Sequence, residues 1–438
     1  MTEEGAHNGM PKVGEIIENQ HTGLNLLVLR NIYSGPFSDV YVVCDKTKNK
    51  KYAMKCERQQ GNDRPVLKLD VMVLMATKGL TGFPDFLAAG RTFTYRYCAM
   101  QLVGPDLGRL RRTRPDRKFS VSTSLNIMEQ TLQRLENLHD AGWLCRDVKA
   151  PNFAIGLENE ENVIFMLDFG FARNYKDKMG KILPPRAAAA LMGTFQYCAV
   201  SAHSHRDQCP KDDLESWFYM AVELLTGPLP WAEIDGHKNH KLIGEKKAAI
   251  RNEPHKSEFF KKLPKNFEAM LSLIDKTGWY DRPRYDVLKE HIAEVARIQG
   301  VTMTEPLDWQ TNKKMQAKAA FVGELGESNL ASAKLDADTD ANTMMDIEFD
   351  EPFDTVDSGP KSATLSATNV NPHWTSGSPA DSNKSKDSTK KSDKSPNKEG
   401  KKSSHDKETD KKEKKNNGNE DSAGEKVFFE YLEGLEIP

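Results

Sequence analysis

Cysteine is scarce and unpaired in this sequence, which argues against two kinds of stabilised fold. The 438 residues contain six cysteines with no CxxC pair, at positions 44, 56, 98, 145, 198 and 209. Neither a zinc cluster nor a disulfide framework is therefore expected. Reduced thiols are typical of a cytoplasmic protein, and we expect that location, with the nucleus as an addition or alternative.

Long apolar runs are also lacking. No stretch of about 18 apolar residues occurs, so we expect no membrane span and no membrane partner. The first twenty residues lack the apolar core of a secretory signal, and Thr2 stands where N-myristoylation needs glycine. The formal net charge of -2 carries no nucleic-acid signature at the level of the whole chain, so we expect no nucleic-acid partner.

The composition changes after Gly300. Lys, Ser, Asp, Asn, Thr, Gly and Glu dominate residues 360–425, which cannot bury enough apolar surface to offset their ordering entropy. We therefore predict a low-complexity, largely disordered tail. The predicted division is an N-terminal extension (1–23), a globular domain (24–299, with lobes of about 24–103 and 104–299) and the tail (300–438).

Hydrophobic patterning divides the globular part in two. Short runs rich in β-branched and aromatic residues, such as "LNLLVLRNIYSG", "DVYVVCDK" and "KKYAMKCE", predict strands. The stretch "RPVLKLDVMVLMATKG" predicts one helix after them, and "SVSTSLNIMEQTLQRLENLHDAG" and "KDDLESWFYMAVELLTG" predict later helices with polar starts and glycine ends. This order indicates an α+β fold of two lobes, a small β-rich one and a larger helical one, with a cleft between them.

The stretch "LCRDVKAPNFAIG" combines groups that phosphoryl transfer needs. Asp147 can accept the proton of an attacking hydroxyl, and Lys149 can neutralise a phosphate oxygen. Asn152 offers an amide oxygen, which is a suitable ligand for Mg²⁺. A solvated charged loop is the alternative reading of this stretch alone.

Two further motifs argue against the plain loop. In "MLDFGFAR", Asp168 supplies a second carboxylate that can bridge Mg²⁺ to phosphates. In "YAMK", Lys55 ends a strand, where its ammonium can hold the α- and β-phosphates of a nucleotide. Order and spacing agree over more than a hundred residues.

These motifs resemble the eukaryotic protein kinases. "PVLKLDVMVLMATKG", "MQLVGPDLGRLRR", "NFAIG", "MLDFGFARNY" and "DDLESWFYM", with "QYCAVSAH" where most kinases have A-P-E, are similar to the casein kinase 1 family and its tau-tubulin kinase-like branch, as a divergent nematode-type member. The resemblance spans about residues 24–299. It implies the bilobal kinase fold, ATP and Mg²⁺ as cofactors, and transfer of the γ-phosphate to Ser/Thr hydroxyls of proteins in signal transduction.

The resemblance also assigns roles to individual residues. It implies that Asp147 is the base, that Lys149, Lys55 and Asp70 complete the catalytic set, and that Asn152 and Asp168 hold metal. Asp213 would brace the catalytic loop, and Thr194 would bond near Asp147. The implied ATP-binding residues are Ile32, Gly35, Val40, Ala53, Lys55, Met100, Gln101, Val103, Asp106 and Ala154.

The chain departs from the family pattern on the nucleotide side. Against G-x-G-x-x-G-x-V it reads "YSGPFSDV", so only Gly35 remains of the three glycines, and Phe37 is a candidate cap over the phosphates. We expect weaker ATP affinity, because glycine lets backbone amides approach phosphate. Asp70 replaces a Glu that is longer by one methylene, and an inward shift of its helix would compensate. Cys145 replaces a His that packs on the D-F-G phenylalanine.

The substrate side departs as well. Met192 and Gln196 replace two arginines of the tau-tubulin kinase pattern, which puts the usual preference for acidic or primed substrates in doubt. Arg186 and Arg206 are candidate replacements for substrate positioning. Acidic and cytoskeletal proteins remain candidate substrates.

Three functional hypotheses follow. The first is an active Ser/Thr protein kinase, the second a pseudokinase scaffold with remnants of an ATP cleft, and the third a tail that binds microtubules or nucleic acid. Residues 344–357 alternate acidic and apolar side chains and could dock a partner or act as a pseudosubstrate. The aromatic end, residues 425–438, is a candidate peptide ligand.

Overall fold

The computed structural model describes residues 9–19, 22–35, 38–59, 66–114 and 116–311. Several predictions lie outside the described residues. They concern the disordered tail beyond residue 311, Phe37, and the hypotheses on residues 344–357 and 425–438.

The strands are β1 (Ile16–Asn19), β2 (Leu24–Ser34), β3 (Asp39–Asp45), β4 (Lys50–Arg58), β5 (Phe86–Arg91), β6 (Tyr95–Gln101), β7 (Trp143–Leu144), β8 (Phe153–Ile155), β9 (Ile164–Met166) and β10 (Arg173–Asn174).

The helices follow the predicted order, with one in the first lobe and the rest in the second. They are α1 (Leu67–Ala76), α2 (Leu107–Arg112), α3 (Val121–Asp140), α4 (Val200–His203), α5 (Pro210–Thr226), α6 (Gly236–Ala249), α7 (His255–Phe260), α8 (Lys265–Asp275), α9 (Tyr285–Gln299) and α10 (Asp308–Thr311). None of the helices in the described part of the chain combines the length and the apolar character that a bilayer crossing needs.

The first lobe is an antiparallel sheet in the order β1-β2-β3-β4-β6-β5. Alternating side chains of its strands form a core cluster that includes Leu26, Val43, Met54 and Ala99, all buried. Helix α1 joins β4 to β5 and contacts β4, β5 and β6. The sheet therefore presents Lys55 of β4 towards a helix that carries Asp70.

The second lobe packs helices around α3 and α5. Trp217 of α5 is fully buried, and its indole N–H donates to Thr131 of α3 at 2.9 Å. The chain between these helices forms two short strand pairs, β8 with β9 and β7 with β10. The α+β fold with a β-rich and a helical lobe is confirmed. The six cysteines are free and buried.

The described fold extends beyond both predicted domain boundaries. Before residue 24, β1 pairs with β2 in antiparallel register, with Ile16 opposite Leu27. After residue 299, Trp309 is buried and packs edge-on against Phe119. Both segments are short, and their pairing depends on partners elsewhere in the chain rather than on a local pattern.

Candidate active site

The loop after β7 is held in place by a buried carboxylate of α5. Asp213 of α5 accepts hydrogen bonds from the backbone N–H groups of Cys145 and Arg146, each at 2.7 Å, and from His139 Nε2 at 2.9 Å. Arg146 has a φ of 63°, a left-handed conformation that is costly for a residue with a side chain. Asp213 thus braces the backbone of this loop.

Asp147 lies at the centre of a set of four polar side chains. Its Oδ1 accepts from the backbone N–H and the hydroxyl of Thr194, at 2.8 and 2.7 Å. Its Oδ2 is 3.0 Å from Lys149 Nζ and 3.2 Å from Asn152 Nδ2. All four residues are buried. These contacts fix the carboxylate in one orientation, as positioning of a substrate hydroxyl requires.

Lys149 also donates to the Thr194 hydroxyl at 3.1 Å. Burial opposes its charge, but the carboxylates of Asp147 and Asp168 raise the pKa of Lys149 above its ordinary value. Its ammonium is therefore charged at neutral pH and available to a transferring phosphoryl group.

A second ion-pair group joins the two lobes. Lys55 Nζ lies 2.9 Å from Asp70 Oδ2 and 2.8 Å from Asp168 Oδ1. Asp70 Oδ1 also accepts from the backbone N–H of Phe169 at 2.9 Å. The shorter acid of α1 therefore reaches both the lysine and the backbone that follows Asp168.

The electrostatics of this group follow from its burial and its charges. Burial disfavours the charge on Lys55, yet Asp168 and Asp70 raise the pKa of its ammonium. Burial likewise opposes ionisation of Asp168, but Lys55 lowers its pKa below the ordinary value. Lys55 and Asp168 are thus charged at neutral pH.

The oxygen atoms near this group suit Mg²⁺. Asn152 uses Nδ2 for its side-chain hydrogen bonds, to the backbone oxygen and Oδ2 of Asp147, so its amide oxygen has no such partner among the described residues. Asp168 Oδ2 likewise has none there, since Oδ1 takes Lys55 and the N–H of Gly170. The described residues hold no group of three or more His, Cys, Asp or Glu that could bind a metal. The Asn152 amide oxygen and Asp168 Oδ2 therefore fit an Mg²⁺ ion whose remaining ligands are nucleotide phosphates and water.

The predicted nucleotide-binding residues of the first lobe lie on neighbouring strands of the sheet and on the segment that follows β6. Val40 of β3 is opposite Lys55 of β4, and Ala53 of β4 is opposite Met100 of β6. Gln101 ends β6, and the Val103 N–H just beyond it has no hydrogen-bond acceptor among the described residues. Ile32 of β2 is 42% exposed.

Two predicted nucleotide residues meet where the lobes join. Asp106 forms an isolated bridge with Ala154, which is buried. Asp106 Oδ1 also accepts from the N–H of Arg109 at 2.8 Å, so this carboxylate caps α2. Its predicted contact with ribose would therefore use Oδ2 or follow a change of partner.

The one glycine that remains of the glycine-rich loop is hydrogen-bonded between β2 and β3. The Gly35 N–H donates to the Ser38 carbonyl at 3.0 Å, so this amide is used inside the turn. A Cβ on residue 35 would lie 2.6 Å from the hydroxyl of Tyr33, whose ring covers Gly35. The loop thus keeps glycine where an aromatic ring lies against the backbone.

Arg186 does not join the other predicted site residues. Its guanidinium donates to Asp207 at 2.9 and 3.2 Å, and its backbone N–H donates to the same carboxylate at 3.0 Å. Burial opposes ionisation of Asp207, but Arg186 and Arg173 lower its pKa well below the ordinary range. The Arg186 side chain remains about half exposed, at 48%.

A buried lysine supports the segment after Thr194, and sequence reasoning missed it. Lys247 of α6 is fully buried, and its ammonium donates to the carbonyls of Phe195 and Cys198, each at 2.7 Å. It also lies 3.2 Å from His203 Nε2. Burial lowers the pKa of Lys247 to about 8. No local signal distinguishes this lysine from its neighbours in "GEKKAA".

Cys145 is fully buried beside the catalytic loop. Burial, with the nearby Asp213 carboxylate, raises the pKa of its thiol well above the usual value. The thiol is therefore protonated at neutral pH, which argues against a nucleophilic role for Cys145. Phe169 stacks on Phe83, with ring centroids 6.2 Å apart.

Comparisons with known proteins agree with this geometry. Residues 27–292 match the protein kinase domain family. The chain is 68% identical over 351 residues to serine/threonine-protein kinase spe-6 of Caenorhabditis elegans, a match that covers 80% of this chain and 93% of that protein. It is 33% identical over 302 residues to a probable serine/threonine-protein kinase of Dictyostelium discoideum, covering 68% of this chain and 58% of that protein.

The matched range contains both charged groups, the one around Asp147 and the one around Lys55. The fold, these two groups and the similarities lead to one assignment. The chain belongs to the protein kinase family and is a protein serine/threonine kinase.

Proposed function

We propose that this kinase is a casein kinase 1-type enzyme of the tau-tubulin kinase-like branch, acting in signal transduction on protein substrates with Mg²⁺-ATP. The observation that carries the proposal is the assembled state of the Lys55–Asp70–Asp168 group, with the lysine within 2.9 Å of both carboxylates. Branch-like motifs such as "NFAIG" and "DDLESWFYM" support the finer assignment.

Each residue of the site has a defined task in this proposal. Asp147 orients the substrate hydroxyl and accepts its proton, while Thr194 keeps the carboxylate in place. Lys149 stabilises charge on the transferring group, and Lys55 holds the α- and β-phosphates. Asn152 and Asp168 would hold Mg²⁺, which when bound neutralises charge on the phosphate oxygens.

The nucleotide pocket is proposed to use the cleft residues named above. Val40, Ala53 and Ala154 would enclose adenine, with Met100 as gatekeeper. The Gln101 carbonyl and the Val103 N–H would pair with its edge, and the latter has no competing acceptor among the described residues.

We propose acidic or cytoskeletal proteins as substrates. Arg206 is exposed near Asp207 and Lys211, whereas Arg186 is already paired with Asp207. Arg206 is therefore the better candidate of the two for contacting an acidic side chain.

The enzyme is proposed to be a cytoplasmic monomer, also present in the nucleus, without membrane or nucleic-acid partners. Six free, buried cysteines support a reducing compartment. Imaging of the tagged chain and light scattering of the purified chain test location and assembly. A secreted pool or a stable dimer would contradict this part of the proposal.

A pseudokinase scaffold is the second candidate. It is favoured by the Gly35 N–H, which is used by Ser38 and is not free for phosphate. Binding of Mg²⁺-ATP without phosphate transfer to any protein would support it.

The tail-mediated binding hypothesis rests on residues outside the described part of the chain, and salt-sensitive binding by residues 360–425 alone would support it.

The branch assignment is tested by restoring its substrate arginines. The full chain and Met192→Arg/Gln196→Arg are compared on peptide pairs that differ by one acidic or phosphorylated residue near the target serine. We expect the double variant to gain at least a tenfold preference for the acidic peptide. Leu242→Arg, an exposed change on α6, serves as the matched control. An unchanged preference in the double variant would contradict the branch assignment.

A further inference from the structure

Helix α1, which carries Asp70, begins without a cap of its own. Its first residues follow Val66, whose side chain makes no capping hydrogen bond. Helix starts leave N–H groups without intrahelical partners, and these groups need acceptors when buried. The acceptor here comes from the sheet.

Glu57 of β4 supplies that acceptor. Its Oε2 accepts from the backbone N–H groups of Val66 and Leu67, at 2.7 and 2.8 Å. Its side chain is 1% exposed, and a carboxylate at a helix start also interacts favourably with the helix dipole. Glu57 therefore ties the start of α1 to the sheet.

The other oxygen of Glu57 is also occupied. Oε1 lies 3.3 Å from Arg96 Nη1 on β6, and Glu57 and Arg96 are opposite each other in the strand register. Arg96 balances the buried charge and fixes the carboxylate on the sheet. The Glu57 carboxylate therefore has a fixed position on the sheet, whereas a glutamate on a flexible surface segment would not.

The same strand and the same helix are joined a second time, at Lys55 and Asp70. Lys55 precedes Glu57 by two residues in β4, and Asp70 follows Leu67 within one helical turn of α1. Asp70 must reach Lys55 Nζ at 2.9 Å and the Phe169 N–H at 2.9 Å with a side chain one methylene shorter than Glu. This is feasible only if α1 lies close to the sheet.

We propose that Glu57 is a positioning residue that sets the distance between α1 and β4 at which the short Asp70 side chain reaches both Lys55 and Phe169. Glu57 acts through Asp70 and touches no reacting atom. If Glu57 only capped α1, it would stabilise the helix, and the effect of replacing Glu57 would be the same with Asp or Glu at position 70.

The test compares the full chain with Glu57→Ala, Asp70→Glu and the double variant. For each, calorimetry gives Kd for Mg²⁺-ATP, and transfer to casein gives kcat and both KM values. We expect Glu57→Ala to weaken ATP binding and lower kcat by about tenfold to a hundredfold, since a shift near 1 Å can cost that much. KM for casein should not change.

The decisive result is rescue by the longer acid. Asp70→Glu should impair the wild-type chain, where α1 is close, and improve ATP binding in the Glu57→Ala background by at least threefold. Equal effects of Asp70→Glu in both backgrounds would overturn the proposal. Glu57→Gln, which weakens the contact by removing the charge and the oxygen that faces Arg96, gives a smaller form of the same comparison if Glu57→Ala fails to fold.

Ser120→Ala is the matched control, because Ser120 caps α3 through the Thr123 N–H, away from the ion-pair group. It should lower the melting temperature without changing Kd for ATP. If Glu57→Ala behaves like this control, Glu57 is a cap only. A wild-type chain without transfer would count against the active enzyme, while the coupling in Kd still tests Glu57.

Discussion

At the residue scale, the segment after Thr194 is supported by two buried basic side chains, Lys247 and His203. Lys247 holds the carbonyls of Phe195 and Cys198, and His203 Nε2 lies between this ammonium and Cys198 Sγ, which is 3.3 Å away. The segment begins directly after Thr194, which positions Asp147. Protonation of His203 would place a second positive charge beside Lys247.

We predict that this arrangement makes stability fall in mild acid. Burial, with Lys247 and His240, lowers the pKa of His203 from 6.5 to about 3. The unfolded chain therefore takes up a proton between pH 6.5 and 3 that the folded protein does not, so the contribution is present above pH 6.5 and lost towards pH 3. Urea unfolding at pH 7 and 4.5 should show a larger loss for the wild type than for His203→Asn. Equal losses would contradict this prediction.

The sequence allowed prediction of residues whose roles depend on motif spacing. Asp147, Lys149 and Asn152 lie within six positions, and their side chains are in contact in the structure. Glu57 and Lys247 could not be predicted in this way, because their partners are backbone groups in distant parts of the chain. Glu57 accepts from N–H groups at the start of α1, and Lys247 donates to carbonyls of the segment after Thr194. Their partners become visible only when α1 lies on β4 and α6 lies under the segment after Thr194.

At the element scale, the loop after β7 and the segment that leads to Thr194 touch at a glycine. Gly193 has a φ of 96°, and a Cβ there would lie 2.5 Å from the backbone oxygen of Arg146. Gly180 has a φ of 79°, and a Cβ there would have no described residue within 4 Å apart from its chain neighbours. The two glycines share a left-handed backbone but differ in their surroundings.

We predict that Gly193→Ala lowers kcat/KM by about a hundredfold, because the segment must move away from Asp147. Gly180→Ala should cost only the left-handed strain, about 1–2 kcal/mol, with kcat/KM unchanged. Kinetics on casein and urea unfolding of both variants provide the measurement. Equal kinetic effects would show that the contact with Arg146 is irrelevant.

The longer elements were predictable from the sequence and the short ones were not. The polar start and apolar period of α3 and the glycine after α5 are local signals, and both helices form where predicted. Strand β1 has only four residues and ends at the buried Asn19. The Asn19 amide is satisfied by donating to the Tyr97 hydroxyl at 2.9 Å and to the Ala89 carbonyl at 3.1 Å. Such a partner, 78 positions away, leaves no local pattern.

At the scale of the whole molecule, α10 packs against the kinase domain. Asp308 accepts from the Ser120 N–H at 2.8 Å, and its own N–H donates to the Thr123 hydroxyl at 3.0 Å. Trp309 donates to the Glu161 carbonyl at 3.0 Å. The segment therefore closes the start of α3 and the loop between β8 and β9.

We predict that a chain ending at residue 299 is less stable than one ending at residue 311. Loss of the buried Trp309 alone should cost about 2–3 kcal/mol. Urea unfolding of the two truncated chains measures the difference. Trp309→Ala in the longer chain should reproduce most of the loss, and equal stability of the two chains would contradict the extended boundary.

We predict that the assembled site transfers phosphate, despite its altered glycine loop. The most direct measurement is transfer of labelled γ-phosphate from Mg²⁺-ATP to casein and tubulin by the full chain, by Asp147→Asn and by Asp286→Asn, an exposed control. We predict transfer by the wild type and the control, and a loss of at least a hundredfold in Asp147→Asn. Equal transfer by all three, or none by the folded wild type, would contradict the account.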